Sequence, residues 1–156
     1  FVLAGPSSGQ YGITSHLRQP ENRSGKGTGP VVGGNLSILV HGIGTDSDIT
    51  TKGKILFLED VGEKLYHIDR MMVQLKRSGK LAQLAGLVVG NFSNLNYDDT
   101  PFGKTAYQIV AEHVSGYSYP VGKGFPIGHV APNLALPLGL EASLTVTEHG
   151  TSLKYG

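Results

Sequence analysis

The chain has 156 residues, 39% of them hydrophobic and 16% charged, with a formal net charge of +1 and no cysteine. That length and balance suit one folded domain with its own core, and they exclude an electrostatic nucleic-acid binder, since no Lys/Arg stripe with interleaved aromatics occurs. No apolar run reaches the ~18 residues of a membrane-spanning helix, and the absence of cysteine removes disulfides and thiolate metal ligands while fitting a reducing compartment.

The opening stretch, with Gly5, Gly9, Gly12, Gly25, Gly27 and Gly29 alternating with Pro6, Pro20 and Pro30, reads as a linker or irregular segment over residues 1–26. Together with a first residue, Phe1, that is not methionine, it suggests a piece of a longer protein. Gly25-Lys26-Gly27-Thr28-Gly29 lacks phosphate-loop spacing and reads as a flexible connector. After Gly33-Gly34, Asn35 is placed to cap a short helix that stops at Gly42 or Gly44. That helix start makes Gly34 and Asn35 candidate walls of a substrate-binding cleft facing an anion.

Lys54 to Glu59 reads as a fully buried strand, because a continuous apolar run is bounded by Gly53 and Gly62. It ends on two adjacent carboxylates, Glu59 and Asp60, at the kind of sheet edge where open α/β folds place their chemistry. From Lys64 to Ser78, Leu65, Ile68, Met72 and Leu75 recur at helical spacing before a Gly79 stop. Leu84 to Val89 reads as a second buried strand, completing a right-handed βαβ unit. Gly90 to Pro101 reads as loop, Lys104 to Val114 as a helix, and Pro120-Val121 as the start of a short strand. In the tail, Ala142, Leu144 and Val146 alternate with Ser143, Thr145 and Thr147, then turn at Glu148 to Thr151 and resume with Leu153 and Tyr155. That is an antiparallel hairpin. The predicted fold class is α/β: a layered domain with a partly parallel central sheet and a C-terminal antiparallel hairpin.

Two motif matches fail on context. Gly5-Pro6-Ser7-Ser8-Gly9 fits G-x-S-x-G, but too few residues precede Ser7 for the strand that a nucleophile elbow requires. Gly103-Lys104-Thr105 has Asp98 where a phosphate loop needs its first glycine, and reads as a plain helix start. Asp60 with Glu63 has the spacing of a capping box for the following helix. That leaves Glu59 unexplained, since a carboxylate ending a buried strand requires a partner. His129 stands in a Gly/Pro-rich loop, Gly124-Phe125-Pro126-Ile127-Gly128-His129, able to aim an imidazole. His41, His67, His113 and His149 show no partner in the sequence, Asp69 and Arg70 read as structural helix charges, and no histidine pair has zinc-helix spacing. No metal or cofactor is therefore assigned. Glu59 and His129 make half of a triad, in which a carboxylate fixes a histidine tautomer so that the other ring nitrogen takes a nucleophile's proton.

Three segments, in this order, resemble the C-terminal domain of LD-carboxypeptidases: Val32-Gly33-Gly34-Asn35-Leu36-Ser37; Gly53 to Lys64 with Tyr66, Ile68, Asp69 and Arg70; and Gly124 to His129 with Pro132-Asn133. The resemblance runs over residues 27–156, while residues 1–26 match nothing. It implies the family's swivelling β/β/α layers and a cytoplasmic serine peptidase that releases the terminal D-alanine of murein tetrapeptides in cell-wall recycling. Related members inactivate a microcin-type peptide-nucleotide antibiotic instead. By the same resemblance, Glu59 is the orienting carboxylate and His129 the general base, and the serine stands on an elbow in a separate N-terminal domain that this chain lacks. The isolated chain is then expected to be inactive and, with its half-cleft exposed, to dimerise. One departure from the family is Leu65, where members commonly carry a proline. The alternative reading is a noncatalytic muropeptide-binding or regulatory module on the same scaffold.

Overall fold

Four successive apolar residues in a strand need cover on both faces, and Ile55–Leu58, the first part of the strand Ile55–Val61, receive it. The computed structural model describes residues 2–4, 11–15, 19–96 and 101–156. In chain order the elements are β1 (Val2–Ala4), β2 (Tyr11–Ser15), β3 (Gly25–Asn35), α1 (Leu36–Gly42), β4 (Ile55–Val61), α2 (Leu65–Arg77), β5 (Gly86–Ser93), α3 (Ala106–His113), β6 (Val121–Lys123), β7 (Glu141–Thr147) and β8 (Gly150–Tyr155). The strands form one sheet in the order β1-β2-β8-β7-β3-β4-β5-β6. Its β3-β4-β5-β6 half is parallel, and β1, β2, β8, β7 and the start of β3 are antiparallel.

Alternation along β4 divides the core in two. Leu56 and Leu58 face the helices, where Ile68, Met72 and Leu75 of α2 and Ile109 and Val110 of α3 close over them. Ile55 and Phe57 face the other way, against Leu144 and Val146 of β7, Leu153 of β8 and Ile13 of β2. The antiparallel ribbon is thus folded over the second face of the parallel sheet, giving the β/β/α layering. The predicted α/β class, the parallel βαβ unit and the C-terminal hairpin are all present. Asn35 caps α1, its side chain accepting from Ile38 N–H, and Thr105 with Gln108 forms a capping box at α3. The Gly103-Lys104-Thr105 match is therefore a helix start; Asp98 and the G-x-S-x-G match at Ser7 lie outside the described residues.

The connector reading of Gly25–Gly29 is corrected. These residues are the first half of β3, paired antiparallel with β7 over Gly25–Pro30, while Val31–Asn35 pairs parallel with β4. One strand belongs to both layers. To pass between them it crosses the entrance edge of the parallel sheet at backbone contact: a Cβ on Gly27 would lie 1.8 Å from Ala85 O, and one on Gly29 2.4 Å from Gly53 O. Glycine here permits close approach, which composition alone does not distinguish from flexibility.

The reading of residues 1–26 as linker or irregular is corrected for the described ones among them. Tyr11–Ser15 pairs with β8 in full register. Residues 19–23 cover the outer side of β6, where an open edge would otherwise stand. Arg23 bridges Val121, and its side chain donates to Tyr119 O (2.8 Å) and Val114 O (3.0 Å). Asn22 Oδ1 accepts from Lys123 N–H, and the buried Lys123 ammonium pairs with Glu21.

If Gly27 were part of a flexible connector, Gly27→Ala would be neutral or slightly stabilising through the unfolded state. The crossing geometry instead predicts a loss of roughly 2–3 kcal/mol, since a methyl has to displace the Ala85 carbonyl. Urea denaturation of the variant separates the two.

Candidate functional site

At the end of β4 the same alternation sends neighbouring carboxylates to opposite faces. Glu59 follows Phe57 toward the ribbon layer and Asp60 follows Leu58 toward the helices; both are buried, at 5% and 1% exposure. The β4–β5 register shifts between Leu58 and Asp60, so the strand is irregular where it delivers them.

Glu59 meets His129. The imidazole stands on the loop after β6, and its Nδ1 lies 2.8 Å from Glu59 Oε2. The carboxylate side chain is 6% exposed and the imidazole 55%. A carboxylate accepts only, so Nδ1 carries the hydrogen of this contact, and the imidazole as a whole is half exposed. A carboxylate held against one ring nitrogen in this way is an arrangement that can orient an imidazole.

The loop is built to allow that contact. Phe125 and Ile127 anchor it in the second core. Gly128 has φ +114°, and a Cβ there would sit 2.7 Å from Glu59 Oε2 and 3.1 Å from its Cβ and Cγ, so a side chain at this position would displace the carboxylate. Gly128 N–H donates to Asn133 Oδ1 at 3.1 Å. Beneath the loop, β5 runs on through Asn91 to Ser93, longer than the predicted strand ending at Val89 and inside the stretch read as loop. Polar side chains at the strand's open end conceal it from an apolar pattern. Asn91 and Ser93 are accordingly site residues that sequence reading missed.

Asp60 does not cap α2, correcting the capping-box reading: the N-cap of that helix is Lys64, with no side-chain cap bond. Asp60 turns to the first turn of α1. Its Oδ1 accepts from Asn35 Nδ2 (2.8 Å) and Val61 N–H (2.8 Å), and its Oδ2 from Ser37 N–H (3.0 Å). The parallel register that sets Asn35 against Glu59 brings the start of α1 within reach, while α2 starts beyond the turn at Gly62. The anion at the start of α1 is therefore the chain's own Asp60, and the Asn35 side chain is occupied by Asp60, Ser37 and Ile38. Gly34, one residue before, has nothing within 4 Å of where a Cβ would stand. Burial pushes the Asp60 carboxyl above its ordinary value, against the lowering effect of its three donors.

Among the described residues the other four histidines are partnered, contrary to expectation. His113 Nε2 meets Asp69 Oδ1 and His67 Nδ1 meets Glu63 Oε2, each at 2.8 Å; His149 pairs with Glu148 at 3.3 Å, and His41 Nδ1 contacts Ser37 O at 2.7 Å. Only the His113–Asp69 contact, between α3 and α2, is hidden by sequence distance; Ser37 and Glu63 lie one helical turn before their histidines, and Glu148 is adjacent to His149. Arg70 stacks over Tyr66, 5.1 Å from its centroid. Among the described residues no group of three or more His, Cys, Asp or Glu is gathered as a metal site.

The sequence profile of the LD-carboxypeptidase C-terminal domain matches residues 28–144, from within β3 to within β7. The chain belongs to this family. It is 39% identical over 132 residues to a probable murein peptide carboxypeptidase of Bacillus subtilis, covering 85% of this chain and 41% of that one. The crystal structure of muramoyltetrapeptide carboxypeptidase from Oxalobacter formigenes superposes with TM-score 0.84 at 32% identity, over 96% of this chain and 51% of that one. The microcin C7 self-immunity protein MccF of Escherichia coli, solved in complex with glutamyl sulfamoyl guanosine, superposes with TM-score 0.75 at 26% identity, over 86% of this chain and 40% of that one. This LD-carboxypeptidase C-terminal domain thus spans about two-fifths of the length of the Bacillus relative and half of the Oxalobacter one.

The Asp60 network makes a signed prediction. With its pKa raised in the folded state, the native protein binds more protons than the unfolded chain between the ordinary aspartate value and the raised one, so the stability contribution of Asp60 increases as pH falls through that window. Asp60→Asn replaces an acceptor by a donor facing donors, and is expected to cost about 1–3 kcal/mol at neutral pH. The gap between wild type and variant, followed by urea denaturation, should widen on acidification from neutral pH toward the ordinary aspartate value, and a gap that closes on acidification would contradict the assignment.

Proposed function

We propose that this domain supplies the Glu and His of a Ser-Glu-His triad in a serine-type LD-carboxypeptidase, which releases the terminal D-alanine from murein tetrapeptides during cell-wall recycling in the cytoplasm. The observation that carries the reading is the 2.8 Å contact between buried Glu59 and Nδ1 of half-exposed His129. Glu59 holds the Nδ1–H tautomer and stabilises the imidazolium. His129 Nε2 removes the proton of a serine hydroxyl as that oxygen attacks the peptide carbonyl, then returns it to the departing amine of D-alanine. Gly34, open and beside the end of β4, forms part of the cleft wall, and Asn35 supports it from behind through Asp60.

The serine belongs to an N-terminal domain outside these residues, a reading supported by the extra length of the relatives. Lacking it, the 156 residues alone are expected to turn over on the order of a millionfold more slowly. Exposed Leu138 and Leu140, at 52% and 57%, and Ile38, at 69%, offer apolar surface for that domain or for a second copy in a homodimer. Sedimentation of the isolated domain over a range of concentrations tests self-association, and a strict monomer throughout removes the homodimer from the proposal.

A second reading, hydrolysis of a microcin-type peptide-nucleotide, is favoured by the likeness to MccF. Mass-spectrometric detection of D-alanine from a murein tetrapeptide and of the cleaved aminoacyl sulfamoyl nucleoside distinguishes the two substrates. The full-length protein should release D-alanine, while Glu59→Ala should reduce kcat by about 10³–10⁴-fold and His129→Ala by more. Release by the isolated domain would require a nucleophile within it. No release from any form would favour a noncatalytic muropeptide-binding module.

A further inference from the structure

The loop that carries His129 runs beside the far end of β5, which holds its alternate carbonyls. Asn91 Nδ2 donates to Phe125 O at 2.9 Å, Asn91 N–H to Ile127 O at 3.1 Å, and Ser93 Oγ to His129 O at 3.0 Å. The last is the only hydrogen bond made to the backbone of His129 itself among the described residues. Ser93 is also joined to the other partner. It is paired with Val61 at the end of β4, and its carbonyl accepts from Gly62 N–H at 3.0 Å. One residue therefore spans from the strand that delivers Glu59 to the residue that carries the imidazole, with its main chain fixed to the first and its hydroxyl to the second.

We propose that Ser93 is a positioning residue for His129, setting where the imidazole stands relative to Glu59 and to the nucleophile; the inference rests on the catalytic role given to His129 above. The Glu59 bond fixes Nδ1 but leaves the half-exposed ring free to swing about it, and among the described residues the neighbouring loop bonds, Gly128 N–H to Asn133 Oδ1 and Val130 N–H to Gly128 O, do not involve the backbone of His129 itself. Fixing the carbonyl as well defines the Cα, and the two restraints together define Nε2. Displacements near 1 Å at a reacting group cost rates of order 10²-fold. The main-chain bonds of Ser93 survive removal of the hydroxyl, so Ser93→Ala deletes one restraint and little else.

The test is a double-mutant cycle in the full-length protein with murein tetrapeptide as substrate. Ser93→Ala is expected to lower kcat about tenfold or more with KM little changed, Ser93→Thr to restore most of it, and thermal midpoints to stay close to wild type. In a His129→Ala background, Ser93→Ala should produce no further loss, because the group it positions is gone. An unchanged kcat in Ser93→Ala would overturn the inference, as would an equal loss in both backgrounds, which would mean a general structural role. Full activity in His129→Ala would overturn the catalytic reading and the positioning inference together, whereas its inactivity beside an unaffected Ser93→Ala removes the inference alone.

Discussion

The buried carboxylate of Glu59 is the constraint around which the active edge of this domain is organised. A carboxylate that is 6% exposed at the end of an apolar strand carries a desolvation penalty that only a polar partner offsets. His129 supplies that partner, and several features of the loop make sense as conditions for it to do so. Gly128 leaves the volume the carboxylate fills, Asn133 holds the peptide in front of it, and Phe125 and Ile127 anchor the segment in the second core. Losing the imidazole would leave the carboxylate buried without that partner.

Asp60 shows how differently an adjacent carboxylate is used. Period-2 alternation sends it to the opposite face, where three donors surround it and the helix start of α1 is fixed to the end of β4. One carboxylate meets the half-exposed imidazole and the other holds the frame. The division requires an intact register between β3 and β4, in which Asn35 lies opposite Glu59. That register in turn follows from β3, the strand that leaves the antiparallel ribbon and enters the parallel sheet. Its glycines permit backbone-to-backbone crossing, so the layers and the site geometry depend on the same run of small residues.

Much of this was legible in the sequence, for identifiable reasons. The continuous apolar run at 55–58 reports burial on both faces, the Leu65, Ile68, Met72 and Leu75 spacing reports a helix with one buried face, and the alternation at 142–146 reports a strand with one. These are local periodicities that solvent enforces. Glu59 and His129 were found because each violates such a pattern, one as a charge ending a buried run, the other as a histidine between glycines and prolines. Gly25–Gly29, Tyr11–Ser15 and Asn91–Ser93 were misread because a glycine serves a loop and a close crossing equally well, and because polar strand ends carry no period.

The sequence by itself determined the class of fold, the order of the parallel unit and the hairpin, and singled out Glu59 and His129, which the structure brings into contact, since those depend on side-chain chemistry and short-range spacing. Only the tertiary structure decided that Asp60 serves α1 rather than α2, that residues 19–23 cover the edge of β6, and that Ser93 reaches from the Glu59 strand to the His129 backbone. Each of these joins groups far apart in sequence through hydrogen bonds whose partners are chosen by register and layer packing. A linear pattern carries no record of which carbonyl will lie 3.0 Å from a given hydroxyl once the sheets have closed.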